Sequence, residues 1–339
     1  MTVMRAIMLL LVPALLFVGC KKEAAEMWRP TKSIQIIVPW GAGGSTDQMT
    51  RLVAGELEGP LGRKIVVVNQ PGESGSAGTK KALEAPHDGY TWTGGAAADL
   101  GAYKIRGLLD TTLDDWVLFL TVADVSVISV NTDEPYRDFG ELLQAFKDNP
   151  GRIPVATAGQ LSTGHNAMTA VQKYSGIEYR QVTYDGSNPA VIATAAGETA
   201  AVAQLAVEQA DILAGGRLRG LAVLDDKPLE LENYGAIPPI TNWIPDFQPS
   251  PSYFGIWIPK DAPQRVIDAF GKLWEEVMEN SQALKQYAAG RGAVFDPSWG
   301  KEARQKAMPY LSIIAWNLHD SGRTVMSPSE AGIPKPWRQ

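Results

Sequence analysis

The sequence predicts an α/β protein made of two doubly wound lobes, and three observations lead there. The chain has 339 residues, more than one small core accommodates and enough for two. From Ser33 onward, β-branched runs alternate with segments of helical periodicity. One β-rich stretch, 116–130, is long enough to leave one lobe and enter another.

The elements follow in order. Residues 34–38 form a β-rich run, and a Gly-rich turn follows it. In 47–57, Met49, Leu52, Val53 and Leu57 share one helical face. Residues 64–68 make a second strand, closed by Asn69-Gln70-Pro71-Gly72. A helix over 75–85 and a strand over 90–93 come next. Strand-helix-strand spacing of this kind implies a parallel sheet with helices on both faces. Beyond the long stretch, Phe139, Leu142, Leu143 and Phe146 stand at helical spacing, and Asn149-Pro150-Gly151 stops that helix. Strands are predicted at 153–157, 182–184 and 218–224, with helices over 165–174 and 188–196. A Pro-rich connector, 237–251, leads to a return strand at 254–258. Two helical patterns, 263–289 and 298–320, finish the chain. This order predicts a discontinuous first lobe, 32–125 plus 251–339, with the second lobe at 126–250. No repeat of fixed period interrupts it.

The net charge of −6 argues against nucleic acid, since a phosphate backbone needs a basic surface. At the N-terminus, Arg5 precedes an apolar run from Ala6 to Val18, the length of a signal h-region and short for a membrane span. The run ends in Phe17-Val18-Gly19-Cys20, which resembles a lipobox with Phe17 in place of the usual Leu. Residues 1–19 are then a signal peptide, and 20–31 a linker lipidated at Cys20. The alternative is an ordinary signal peptide with a chance cysteine. Cys20 is the only cysteine, so an intramolecular disulfide is impossible.

The most informative segment is Val38-Pro39-Trp40-Gly41-Ala42-Gly43-Gly44-Ser45-Thr46-Asp47, between a strand and a helix. Glycines there bring N–H groups close to a ligand, and the unpaired donors of the helix start suit a carboxylate. A Walker loop would need Lys at its end, and a dinucleotide loop would need Gly where Thr46 stands. A purely structural turn is the remaining alternative. Asp47 and Arg51 stand four apart and read first as a local ion pair. A second Gly-rich turn runs from Thr157 to His165, again between strand and helix. Ser162 and His165 raise the question of a nucleophile and base, but no Gly-x-Ser-x-Gly elbow and no third group accompany them. His87, His165 and His319 are spread too widely for a metal site. Trp243, Trp257, Trp274, Trp299 and Trp316 read as packing residues.

These motifs, taken together, resemble the receptors of tripartite tricarboxylate transporters, also called Bug proteins. The matching residues are Val38 to Asp47 with Arg51; Val66 to Gly72; Gly75 to Gly78; Ala85-Pro86-His87-Asp88-Gly89-Tyr90-Thr91; Tyr184-Asp185-Gly186; Gly216 to Val223; and Ile258 to Pro263. The resemblance covers nearly all of the chain beyond the leader. It implies a type II periplasmic-binding-protein fold with two crossover strands, no catalysis, no cofactor and no metal. It implies a small carboxylate held between loops of the two lobes. Carried over, the ligand-binding residues are Trp40, Gly41, Ala42, Gly43, Gly44, Ser45, Thr46 and Asp47; Thr157, Ala158, Gly159, Ser162, Thr163, Gly164 and His165; Tyr184, Gly186 and Ser187; and Gln204. The expected partners are the large and small integral membrane subunits of a transporter, with the receptor a monomer anchored through Cys20 outside the cytoplasm. A sensory lipoprotein that signals without transport needs the same clamp. Relatives usually carry acids where Ala200 and Gln204 stand here, which bears on ligand choice.

Overall fold

The computed structural model describes residues 28–159, 162–249 and 251–336. The signal-peptide reading and the lipidation of Cys20 lie outside the described residues. The first lobe opens with β1 (Ile34–Val38), α1 (Ser45–Leu61), β2 (Ile65–Asn69), α2 (Ser76–Glu84), β3 (Thr91–Ala96), α3 (Ala97–Ala102) and β4 (Trp116–Asp124). The chain then builds a second sheet through β5 (Ser126–Asn131), α4 (Phe139–Asp148), β6 (Pro154–Thr157), α5 (Thr163–Ser175), β7 (Arg180–Thr183), α6 (Ser187–Ala195), β8 (Ala201–Leu205), α7 (Ala206–Ala214) and β9 (Leu218–Val223). A hairpin, β10 (Leu229–Leu231) and β11 (Gly235–Ile237), follows. The chain returns with β12 (Ser252–Pro259), α8 (Gln264–Glu276), α9 (Gln282–Arg291), β13 (Val294–Trp299) and α10 (Gly300–Asp320).

The result is a two-lobed α/β fold. The first lobe holds a six-stranded sheet in the order β13-β4-β12-β3-β1-β2, and the second a five-stranded sheet in the order β7-β6-β8-β5-β9. The parallel pairing expected from strand-helix-strand spacing holds for β1, β2 and β3, while each sheet as a whole is mixed. β1 runs parallel to β2 and β3, but β12 is antiparallel to both β3 and β4. In the second sheet β6 is parallel to β7 and β8, while β5 is antiparallel to β8 and β9. β12 and β5 each follow a crossing between lobes and so enter their sheet from the opposite end, and β13 is antiparallel to β4 at the edge of the first sheet. At Val125 the chain changes sheets, and the Val125 carbonyl accepts from Ala206 N at 2.9 Å, tying the start of α7 to the crossing.

Local chemistry explains the elements. Ile34, Ile36, Ile37 and Val38 of β1 are all buried, as befits a strand covered on both faces. In α1, Met49, Val53 and Leu57 bury one stripe, and Gly62 ends the helix in the left-handed region, its N–H reaching the carbonyls of Glu58 and Gly59. Trp92, Phe119, Phe270 and Trp274 fill the first core, each worth about 1.5–3 kcal/mol on burial, with Trp92 and Phe270 edge to face at 4.2 Å. Phe139, Phe146, Met168 and Val171 fill the second lobe.

Two helical expectations are corrected. The pattern over 263–289 is two helices, because Ser281 starts α9 afresh by accepting from Leu284 N at 3.1 Å. The pattern over 298–320 begins too early: Ser298 and Trp299 belong to β13, where Trp299 stacks on Phe119 at 5.8 Å. Among the described residues, no helix is long and apolar enough to cross a membrane.

Candidate ligand-binding cleft

Three strand-to-helix turns, after β1, β6 and β7, point α1, α5 and α6 by their first turns at one spot between the lobes. Helix starts carry unpaired N–H donors and a partial positive charge. Trp40, Gly41, Gly44, Ser45 and Thr46 line the resulting cavity from the first lobe. Ala158, Ser162, Thr163, Gly186, Ser187 and Gln204 line it from the second. Four further residues complete the wall: Asp99, Leu205, Glu208 and Phe254. The cavity measures about 40 Å³, room for a few waters and no more. The lobes are closed on each other. A Cβ on Gly44 would lie 2.9 Å from Ser187 Oγ, and one on Gly41 3.4 Å from the Asp185 carbonyl.

The first turn is braced from outside the cavity by Asp47. Its carboxylate accepts from Gly43 N at 3.0 Å and Asn69 Nδ2 at 2.9 Å, and pairs with Arg51 at 2.8 Å. Asn69 also donates to the Trp40 carbonyl at 3.1 Å. Burial by itself would raise the Asp47 carboxyl, but the bonds from Arg51, Gly43 and Asn69 outweigh it and hold it below its usual value. Gly43, at φ 84°, makes the turn possible; a side chain there would be strained.

The second turn ends in a cap. Ser162 Oγ donates to the Gly159 carbonyl at 3.0 Å and accepts from His165 N at 3.2 Å. That serine is therefore engaged with backbone, not with an imidazole. His165 Nε2 lies 2.9 Å from Arg323 Nη1. Arginine only donates, so Nε2 is the acceptor and the ring is neutral with its proton on Nδ1. Burial, reinforced by Arg323 and Arg106, pushes the imidazole down to about 4. No nucleophile–base pair forms.

Eight of the expected ligand residues stand outside the cavity wall. Ala42 and Gly43 are exposed at the tip of the first turn, and Asp47 braces it from behind. Thr157 is buried beneath the second turn, where its hydroxyl accepts from Gln181 at 3.3 Å. Gly159, Gly164 and His165 shape that turn or face away from the cavity, and Tyr184 reaches Glu198 at 3.4 Å. Ala200 packs on the second core. Gln204 does line the cavity: with its amide assigned so that oxygen faces a donor and nitrogen an acceptor, the oxygen accepts from Ala158 N at 2.7 Å and the nitrogen donates to Glu208 Oε2 at 3.1 Å.

Sequence reasoning missed the acids. Asp99, at the start of α3, is buried and takes a bond from the Trp40 side chain; burial first and Glu208 second push its carboxyl well up. Burial and Glu208 do the same to Asp124 at the end of β4. Glu208, in the first turn of α7, is raised by burial against the opposing pull of Ser45, Ser187 and the Leu205 N–H. No periodicity marks these residues. The only signal is Glu208 three places after Leu205, an N3 spacing without the Ser or Thr that would announce a helix start. Among the described residues no cluster of His, Cys, Asp and Glu is arranged to hold a metal.

A family model described as tripartite tricarboxylate transporter family receptor matches residues 49–304. The protein BugT of Bordetella pertussis is 28% identical over 265 residues, covering 77% of this chain and 80% of the relative. A UPF0065 protein of Pseudomonas sp. strain P51 is 28% identical over 243 residues, covering 70% and 71%. Among solved structures, the periplasmic binding protein BugD superposes with a TM-score of 0.75 at 22% identity, covering 90% of this chain and 99% of that one. MatC from Rhodopseudomonas palustris with bound malate gives 0.74 at 18%, covering 86% and 98%. A second R. palustris protein, with adipate, gives 0.73 at 22%, covering 91% and 99%. At these identities the structural likeness establishes the two-lobed binding-protein fold.

Proposed function

The chain belongs to the tripartite tricarboxylate transporter receptor family, a family of solute-binding proteins rather than enzymes, and on that premise we propose that it captures a small carboxylate-bearing solute between its lobes. The observation that carries this reading is the convergence of three helix starts on one interlobe cavity, with Ser45, Thr163 and Ser187 at their first turns. Oriented amides and hydroxyls at helix starts grip an oxyanion without a resident cation. The structural neighbours with malate and adipate support a carboxylate of that size.

With the lobes this close the cavity is too small for such a solute, so binding begins with the lobes apart and the loaded form closes less far. The solute docks on the turn after β1, and the second lobe closes over it. Closure is stabilised only as far as the solute prefers the closed form. The loaded receptor then delivers its cargo to the large and small membrane subunits of a secondary transporter. In this reading Cys20 anchors the protein by lipid outside the cytoplasm, and residues 1–19 are removed. The site residues proposed are those of the three turns that line the cavity, with Gln204.

A thermal-shift screen across dicarboxylates, tricarboxylates, amino acids and aromatic acids tests it. At least one carboxylate is expected to raise the melting temperature in a saturable way. A flat response across the whole panel would sink the proposal.

A further inference from the structure

Glu208 belongs to the second lobe, yet much of what holds its carboxylate belongs to the first. Ser45 donates to Oε1 through both its N–H, at 3.3 Å, and its hydroxyl, at 2.8 Å. Leu205 N donates to Oε2 at 3.2 Å, the Gln204 amide to the same oxygen at 3.1 Å, and the Ser187 hydroxyl also bonds this carboxylate. These donors include the first-turn amide and hydroxyl of α1, and a hydroxyl from the first turn of α6. They are the groups that a solute's carboxylate would need. Among the described residues, no Lys or Arg lines the cavity to receive a second anion.

We propose that Glu208 is the resident anion of this cleft and its specificity-determining residue: it fills the oxyanion seat at the start of α1, and a solute's carboxylate takes that seat only by displacing it. The proposal rests on the carboxylate-binding reading above. Gln204 supports it independently. An acid at that position, as the resemblance leads one to expect, would set two carboxylates 3.1 Å apart. Two such groups cannot both stay ionised at that distance. Glutamine removes the conflict, because it gives Glu208 an N–H and turns its oxygen to Ala158 N. The two residues therefore form one unit. A carboxylate from the protein occupies the space for a carboxylate from outside, and the neighbouring glutamine holds it as a donor.

Two measurements on the purified protein and its Glu208→Ala variant decide the matter. The first is calorimetry with malate and adipate near neutral pH. Removing the competitor should tighten binding by about tenfold or more, the worth of charge-assisted hydrogen bonds no longer surrendered on entry; Glu208→Gln, which fills the same space without charge, should fall between. An unchanged or weaker affinity in Glu208→Ala, with wild type binding the same acid, overturns the proposal. The second is thermal melting without solute, in sodium formate against sodium chloride at equal ionic strength. Formate should refill the vacated seat and stabilise Glu208→Ala in a saturable way while leaving wild type as chloride leaves it. Equal responses of the two proteins overturn the proposal. If no acid binds either protein, the carboxylate reading fails while the formate experiment still decides the role of Glu208. Should Glu208→Ala not fold, Glu208→Ser takes its place in both arms.

Discussion

At Asp47 one carboxylate gathers an amide, a side-chain amide and a guanidinium, and so fixes the turn that starts α1. Asp47→Ala leaves Gly43 N and one of the two Asn69 Nδ2 hydrogens without an acceptor, and should cost about 1–3 kcal/mol in denaturant-unfolding free energy. The pH sign follows from its lowered value. This stability is present above the ordinary carboxylate value of 3.8 and is lost as pH falls through the lower folded value, so the variant should lose less on strong acidification than wild type. His165 behaves the other way round from a switch. Its imidazole is held down to about 4, so NMR should show no titration of this ring between about pH 5.5 and 8. The neutral ring's contribution is complete above the unfolded value of 6.5 and declines as pH drops toward 4. A midpoint near 6.5 in the folded protein would contradict the buried contact with Arg323. The Asp47–Arg51 pairing was legible from its four-residue spacing. Glu208 was not, because its partners Ser45 and Ser187 lie far away in sequence and meet it only through the fold.

Elements with a clear period were the readable ones. The strand at 34–38 and the helix that begins at Phe139 stand where alternation and helical spacing put them. Residues 201–214 show no element boundary in the sequence, since Ala201 to Leu205 and Ala206 to Ala214 form a strand and a helix back to back with no turn residue between them. That continuity hid α7, and with it Glu208. The pairing of β13 with β4 was likewise hidden, because Ser298 and Trp299 continue smoothly into α10. Close packing of elements explains one glycine that looked like a ligand residue. A Cβ on Gly164 would lie 1.8 Å from the Ala203 carbonyl, so α5 meets β8 with no space for a methyl group. Gly164→Ala should lower stability by about 1–3 kcal/mol or more, read from the urea midpoint. A variant as stable as wild type would mean that α5 does not sit this close to the sheet.

At the scale of the whole molecule the lobes meet through apolar and polar contacts, with Leu205 and Val207 of the second lobe buried against the first core. Lys173 donates to Asn317 at 2.6 Å, Arg291 pairs with Asp211 at 2.9 Å, and Arg323 reaches His165 at 2.9 Å. Partly exposed ion pairs are worth little, so these pairs add little to the preference for closure. The two-lobed architecture followed from chain length and the alternation of elements; the mixed direction of the strands did not, since pairing partners come from opposite ends of the chain. The lobes approach closely at Gly44, where added bulk would press on Ser187. Titration calorimetry of wild type and Gly44→Val with malate and adipate tests the central claim, that the facing turns grip a carboxylate between closing lobes. The expected result is saturable one-to-one binding by wild type, weakened about tenfold or more in Gly44→Val. Binding of equal strength in the two proteins, or no heat from wild type at concentrations that resolve a Kd of about 100 μM, would contradict it.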